Sequence, residues 1–481
     1  MVGDTQERIS GAARNVAFKF LSEVVGKILL LFYAVLLTHF LNAELFGRFT
    51  FALTLGGMLA LISDLGLPVI ASREIARVSP GQVRSLFARL INIKVLVLIP
   101  IALISLGLYL FWPADSNIPA SLPAVLTISI ALTLVMELFA SALRARFRGG
   151  REALLFIFQR GVLLLGTAGL LLLGGGLVSV GWAHLLASAS GVVVGFLLLT
   201  PLFGKSEEAH FVPPKRGKLL SSALPIFAAS LFITAYFRID ILLLRWLGVG
   251  DGEIGYYGAA FRLIDAIMVL PALFIAGIFP ALSSFFSGRE EVDKETFRKS
   301  GELSRVLAVL GFGITLLLFP LTEPLVRIAF GAEFAPSSAP LRILLWALPL
   351  IFINYLLYYL IIAMDRQKLN LIPTAVCLVF NLTLNLLLIP HFGIMASAAV
   401  TIGTELVLFA FLVAFTFRRV DIPTGRLMLV AVGAVLCGGF QVWSGGFWGL
   451  AGLIVFIGWS FLVGGISTAD FTLVFSALRR R

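Results

Sequence analysis

The sequence of 481 residues predicts an all-α polytopic membrane protein with about 14 transmembrane helices. Three observations predict it. Hydrophobic residues make up 59% of the chain and charged residues only 13%, where soluble domains carry about 25% charged, and the mean hydropathy is +1.02. Apolar runs of roughly 20 residues, enough to cross the hydrocarbon core, recur from one end of the chain to the other. Lysine and arginine gather in every second connection between those runs. The runs are Leu-rich and much longer than the roughly ten residues of a barrel strand, so helices are expected.

The spans fall at 16–41, 46–68, 86–111, 119–143, 154–174, 177–203, 219–247, 254–280, 304–328, 342–364, 370–389, 394–417, 426–443 and 447–466. Two stretches require a reversal. Leu427–Ala469 contains no Asp, Glu, Lys or Arg in 43 residues, roughly twice the core thickness as helix, and Ser444-Gly445-Gly446 supplies the turn. Gly161–Gly204 is equally free of these four types and turns at Gly174-Gly175-Gly176. The first apolar run is too long for a signal peptide and is expected to stay in the mature chain.

An even number of spans puts both termini on one side. If that side is cytoplasmic, the inner segments hold 27 of the 37 lysines and arginines, and only Arg245, Arg327 and Arg342 lie at the outer ends. The net charge of +11 follows from this topology and needs no nucleic-acid partner. The expected location is the cell (cytoplasmic) membrane, multi-pass, with both termini cytoplasmic. Outer loops are short, about 14 residues at most near 328–341, which leaves no room for an external enzyme domain. The largest inner loop, 281–303, is charged and expected to be helical in part.

A faint repeat links the two halves. Phe46-Gly47, Phe49 and Ala52 match Ile254-Gly255, Tyr257 and Ala260, 208 residues later. Six spans return the chain to its starting side, so the copies are parallel. The expected organisation is a lobe at 1–203, a cytoplasmic linker at 204–218, a second lobe at 219–417, and a two-helix appendix with a basic tail at 418–481.

Ionisable groups at bilayer depth are costly and mark functional candidates. Lys19, Glu23 and Lys27 share one face of span one at i, i+4 and i+8. Either they form a self-neutralising ladder whose lysines reach the inner surface, or they line a lumen. Arg238 and Arg262 each sit roughly 12–14 Å below the outer surface, with Asp240 and Asp265 nearby. They read as structural salt bridges or as a basic site with its charge partly balanced. Arg160 is near mid-depth of span five with no carboxylate within a turn of its own helix, which points to a water-filled interior. Arg48 is a further basic candidate that is also able to snorkel, and Lys94 is similar on the inner side. Asp64, before Gly66 and Pro68, is suited to capping backbone or to titrating. Asp240, Asp265, Asp64 and Glu23 are the candidates for ion coupling; Glu137 and Glu405 are weaker ones, for which hydrogen bonding to a neighbouring helix is the favoured reading.

Several motifs fail. Gly204-Lys205-Ser206 lacks the first glycine of a phosphate-binding loop, since position 199 is Leu. His39, His184, His210 and His391 show no metal-ligand spacing, and Cys377 and Cys437 form no redox motif. No catalytic centre, metal or cofactor is expected. Asn381-Leu382-Thr383 is a glycosylation sequon inside a span and unusable, and Gly191 and Gly195 suggest a close helix contact. The residues alone reach a two-lobed secondary transporter with a basic interior.

Further motifs carry a resemblance. Phe46-Gly47, Ser63-Asp64-Leu65-Gly66-Leu67 and Ser72-Arg73-Glu74 resemble the first-lobe signature of the polysaccharide (O-antigen-type) flippases, in the multidrug/oligosaccharidyl-lipid/polysaccharide exporter superfamily. Asp240, Gly255-Tyr256-Tyr257, Ala260, Arg262-Leu263, Pro271, Phe279-Pro280 and Ser283 resemble its second, and Leu388-Ile389-Pro390 with Gly393 its span eleven–twelve turn. Their order extends over roughly 400 residues. The resemblance implies a flippase, not an enzyme, that moves a polyprenyl-pyrophosphate-linked oligosaccharide from the cytoplasmic to the outer leaflet, in polysaccharide or lipopolysaccharide biosynthesis. It also implies membrane lipid and glycan polymerases or glycosyltransferases as partners. Arg262, Arg238, Arg160, Lys27, Lys19 and Arg48 would then contact the diphosphate. Arg262 falls where lipid II flippases also have Arg, whereas Tyr33-Ala34 replace their Arg-Asp pair. The alternative is a cation-coupled drug or small-molecule exporter of the same superfamily, which the basic bias of the deep charges disfavours.

Overall fold

A computed structural model describes residues 2–113, 117–203, 213–275, 294–364, 366–416, 423–444 and 449–465. Side chains are described from Phe18 onward, apart from positions 19–20, 294–300, 367–368 and 449–450. Among the described residues every regular element is helical. Contacts group the chain into two compact units, Met1–Arg245 with Gly250–Gly255, and Trp246–Val249 with Tyr256–Arg481.

The first unit begins with α1 (Val2–Phe40) and α2 (Ala43–Leu61). Only Leu41-Asn42 separates them, because the Asn42 side chain accepts from the Leu45 N–H at 2.9 Å and starts the next helix at once. Span two was expected to run to residue 68 but stops at Leu61. Leu65 (φ 50°) and Gly66 (φ 64°) enter the left-handed region there, and Leu67-Pro68 start the short amphipathic α3 (Leu67–Arg77) on a new axis. A capping box between Ser79 and Gln82 leads into α4 (Val83–Leu110). Helices α5 (Ser121–Ala145), α6 (Gly149–Leu172) and α7 (Leu177–Leu199) follow. The turn between α6 and α7 falls at Gly174–Gly176 as expected, with Gly174 at φ 84°.

Helix α5 is the centre of this unit, packed against α2, α3, α4 and α7. Its partner α7 presents Gly191 to Met136 and Gln159, and Gly195 to Phe139, so these glycines do form the expected close contact. Helix α8 (Arg216–Trp246) follows the stretch where a second lobe was expected to begin, yet its contacts place it with the first unit. Leu219 and Ala223 join the core built by α3, α4 and α5, and the Ala223 carbonyl lies where a side chain on Gly66 would be.

Helix α9 (Asp251–Ile267) belongs to the first unit up to Gly255 and to the second beyond it. The second unit continues with α10 (Lys294–Leu318), so residues 294–303 of the expected charged loop are a helical extension of span nine. The connection near 328–341, expected on the outer side, is itself built from α11 (Thr322–Phe330) and a 3-10 segment. Span ten is broken: α12 (Ser338–Leu345) and α13 (Leu348–Ala363) meet at a bend of 49°.

Helix α14 (Leu371–Thr416) is 46 residues long and non-helical at Gly393 (φ 54°). Its halves fold back on one another: Asn381 bonds Thr404, Asn385 bonds Ser397, and Cys377 bonds the Thr404 carbonyl. The pair 381/404 and the pair 385/397 approach each other along the sequence, so the halves are antiparallel and make the expected turn. Helices α15 (Thr424–Ser444) and α16 (Gly449–Leu462) form a second hairpin, closed by Trp459 donating to the Leu429 carbonyl. They dock on α10 through Gln441 to the Leu316 carbonyl and Arg305 to the Gly464 carbonyl, both 2.8 Å. By length and hydropathy 11 described helices are fit to cross a membrane, or 12 with the bent pair, where the sequence predicted 14. That test counts the hairpin α14 once, and α16 is short in its described part.

Candidate functional site

Arg160 lies eleven residues into α6, roughly 16 Å along it. Its guanidinium occupies the volume that a side chain at Gly26 of α1 would fill. It reaches toward the Ser22 carbonyl at 3.4 Å and lies 5.7 Å from the centre of the Phe156 ring. Glu23 and Glu137 act on it only at a distance, and among the described residues no carboxylate is within ion-pair range. The side chain is half-buried, as are Glu23 and Lys27 one turn apart on α1. A cation thus sits at mid-depth with donors to spare. The Lys19 side chain lies outside the described residues.

Lys94 behaves differently. It was expected to snorkel, but its side chain is 0% exposed, and Nζ donates to the Ser63 carbonyl at 2.5 Å with Asp64 at 3.9 Å. Asp64 in turn accepts from the Gly66 N–H at 3.2 Å. Lysine and aspartate together satisfy the backbone that the break after α2 strips of helical partners. Glu137 also meets a structural partner: Arg144 bonds it at 3.3 Å and bonds the buried Glu152 at 2.6 Å.

Arg48 does not run free to the surface. Its Nε donates to Asp251 at 2.9 Å and its Nη2 lies 3.5 Å from Glu44, while Arg245, stacked on Phe51, also pairs with Asp251. Beside this cluster, within the first unit, the two copies of the repeat motif meet. A Cβ on Gly47 would overlap the Asp251 carbonyl, and a Cβ on Gly255 would overlap the Ala43 carbonyl. Positions 43 and 251, like 47 and 255, are 208 apart, so the crossing has a local twofold relation that tolerates only glycine.

The remaining candidates divide between the units. Arg238 is half-buried on α8, and Asp240 is 2% exposed, with Oδ1 accepting from the Ile241 N–H at 2.8 Å. In the second unit Arg262 and Asp265 face each other at 4.0 Å along α9.

The sequence missed two polar features, apart from the expected hydrogen bond of Glu405 to a neighbouring helix. Tyr33 and His184 share a hydrogen bond of 2.7 Å between α1 and α7, with Phe49 against the imidazole. In the second unit a buried seam runs through the α14 hairpin: Asn381, Asn385, Ser397 and Thr404 bond one another, and Asn354 of α13 bonds Glu405. Asparagines at 381 and 385, one turn apart inside an apolar run, were the available signal.

A family model described as "Polysaccharide biosynthesis protein" matches residues 12–286, more than half of the chain. The chain belongs to that family. This member of the polysaccharide biosynthesis family is 25% identical over 406 residues to the "Probable low-salt glycan biosynthesis flippase Agl15" of Haloferax volcanii, spanning 81% of this chain and 80% of the relative. Its fold is similar to that of the lipid II flippase MurJ in an inward closed conformation, with a TM-score of 0.72 at 17% identity, covering 96% of this chain and 100% of the other. It is also similar to the MATE multidrug transporter DinF-BH, with a TM-score of 0.64 at 16% identity, covering 84% and 95%. The chain is therefore a polytopic membrane protein of the polysaccharide biosynthesis family, with a fold that it shares with these solved transporters.

Proposed function

We propose that the protein flips a polyprenyl-pyrophosphate-linked oligosaccharide from the cytoplasmic to the outer leaflet of the cell membrane by alternating access, with both termini cytoplasmic. Neither the diphosphate nor the glycan can enter hydrocarbon unaided, so a transporter must offer donors at depth. Arg160 carries this reading: a mid-depth guanidinium, half-buried, without an ion pair among the described residues. Such a group forms short, charge-assisted, bidentate bonds to phosphate oxygens. Lys27, Lys19, Arg238 and Arg262 are the further proposed contacts. Arg48 is already engaged by Asp251 and Glu44, and its proposed part is to hold the outer ends of α2, α8 and α9 together. Asp240, Asp265, Asp64 and Glu23 remain the proposed coupling or balancing carboxylates, Asp64 chiefly through backbone capping. Glycosyltransferases that supply the cargo and a polymerase that consumes it are the proposed partners.

The family match and the flippase name of the Haloferax relative support this reading, whereas a drug exporter rests on shared fold alone. The test is complementation of a strain lacking its own lipid-linked oligosaccharide flippase, with surface glycan quantified by lectin binding. Restored display by the wild type and lost display by Arg160→Ala, at equal membrane abundance, is expected. Changed drug accumulation with no glycan display would overturn the proposal in favour of the exporter.

A further inference from the structure

The second unit holds a carboxyl group that this transport reading does not use. Glu405 lies midway along the second half of α14, roughly 18 Å from the Gly393 turn. It is 1% exposed, and Asn354 of α13, its partner, is 3% exposed. Asn354 Nδ2 donates to Glu405 Oε2 and to the Glu405 backbone carbonyl, both at 2.8 Å. Two oxygens are left over. Glu405 Oε1 and Asn354 Oδ1 are both buried without a hydrogen-bond partner.

Oxygens of an ionised carboxylate and of an amide only accept, so they cannot bond one another. A single proton changes that. The two planar groups already touch through Nδ2 and Oε2, and a hydrogen on Oε1 would close the second bond of an acid–amide ring. Both orphaned atoms would then be satisfied and no net charge would remain at this depth.

Among the described residues the surroundings supply no other neutralising group, and no cation is in ion-pair range of Glu405. The first half of α14 contributes Cys377, which bonds the Thr404 carbonyl. Helix α13 contributes Tyr355, Tyr358 and Tyr359, the last packing tilted against Tyr355 and edge-on to Tyr358, and α12 contributes Arg342, which donates to Thr322. Arg366, in the link before α14, is exposed. A metal ion fits poorly, since two free oxygens fall short of the roughly six that hard cations collect. The hydroxyl of the adjacent Thr404 already donates to the Val400 carbonyl and accepts from Asn381.

We propose that Glu405 and Asn354 form a proton-binding site inside the second unit: Glu405 Oε1 carries the proton and donates it to Asn354 Oδ1, while Asn354 Nδ2 donates to Glu405 Oε2. The neutral pair pins α13 to the second half of α14. This site stands independently of the cargo.

Infrared difference spectroscopy on the purified full-length protein at neutral pH tests it. The wild type is expected to show a carboxylic-acid carbonyl band that Glu405→Gln removes and Asn354→Leu shifts. Identical wild-type and Glu405→Gln spectra in that region would overturn the proposal. Adding sodium chloride at constant pH is expected to leave the band in place; its loss would overturn the proton in favour of a metal ion. A stability readout guards against misfolding. Glu405→Gln keeps both bonds, because its amide donates to Oδ1, and is expected to melt close to the wild type, well above Glu405→Ala. Equal melting of the two variants would count against the two-bonded pair.

Discussion

Lys94 and Arg160 are both cations eleven residues into a membrane-spanning helix of the same unit, and they do opposite things. Lys94 is sealed, with its ammonium on the Ser63 carbonyl and Asp64 close by. Arg160 is half-buried, holds one long bond to a carbonyl and meets no carboxylate at ion-pair distance among the described residues. A lysine fully satisfied by the protein has nothing left to offer a ligand. An arginine with five donors, most of them unspent, is costly to the fold and keeps donors that a ligand could take up. Depth in the membrane alone therefore does not single out a candidate contact for the proposed cargo, whereas depth with unspent donors does.

This contrast breaks most readily at Lys94. Lys94→Ala removes a large, fully buried side chain and orphans the backbone of the α2–α3 break. It is expected to lower stability by about 2–5 kcal/mol, read as a fall in unfolding temperature in detergent. Lys94→Met, which keeps the volume, should recover part of that. Arg160→Ala is expected to do the reverse, with export falling about ten- to a hundred-fold, the worth of one charge-assisted bond pair. Its unfolding temperature should scarcely move. Export unchanged in Arg160→Ala would remove the distinction between the two cations.

Gly26→Ala sharpens the comparison without touching either charge. Its Cβ would collide with the end of the Arg160 side chain, which is flexible and can swing away. Export is expected to fall about three- to ten-fold, while the helix gains up to about 1 kcal/mol from the better propensity of alanine. The smallest effect is expected at Arg48, where Arg48→Ala should cost about 1 kcal/mol or less because both its partners are partly solvated. A double-mutant cycle with Asp251→Ala measures that coupling, and additive losses would show that the ion pair contributes nothing.

How much was legible follows the range of each interaction. The helical class and the turns at Gly174–Gly176 and Gly393 were readable, because hydropathy and glycine act within a few residues. The end of span two at Leu61 was not, since the Leu65-Gly66 turn hides inside an apolar run. Snorkelling by Lys94 was a fair expectation for a lysine near an inner end, and only the carbonyl freed by a neighbouring helix overrules it. Asn354 and Glu405 lie 51 residues apart and carry no local pattern that would pair them.

By itself the sequence determined that this chain lives in a bilayer and where it must turn. Those are transfer and backbone-conformation terms that sum over short stretches. Which charges are spent and which are spare was decided only by the tertiary structure. A buried charge takes its meaning from the partner that reaches it, and here that partner comes from another helix: Ser22 and Gly26 for Arg160, Ser63 for Lys94, Asp251 for Arg48 and Asn354 for Glu405.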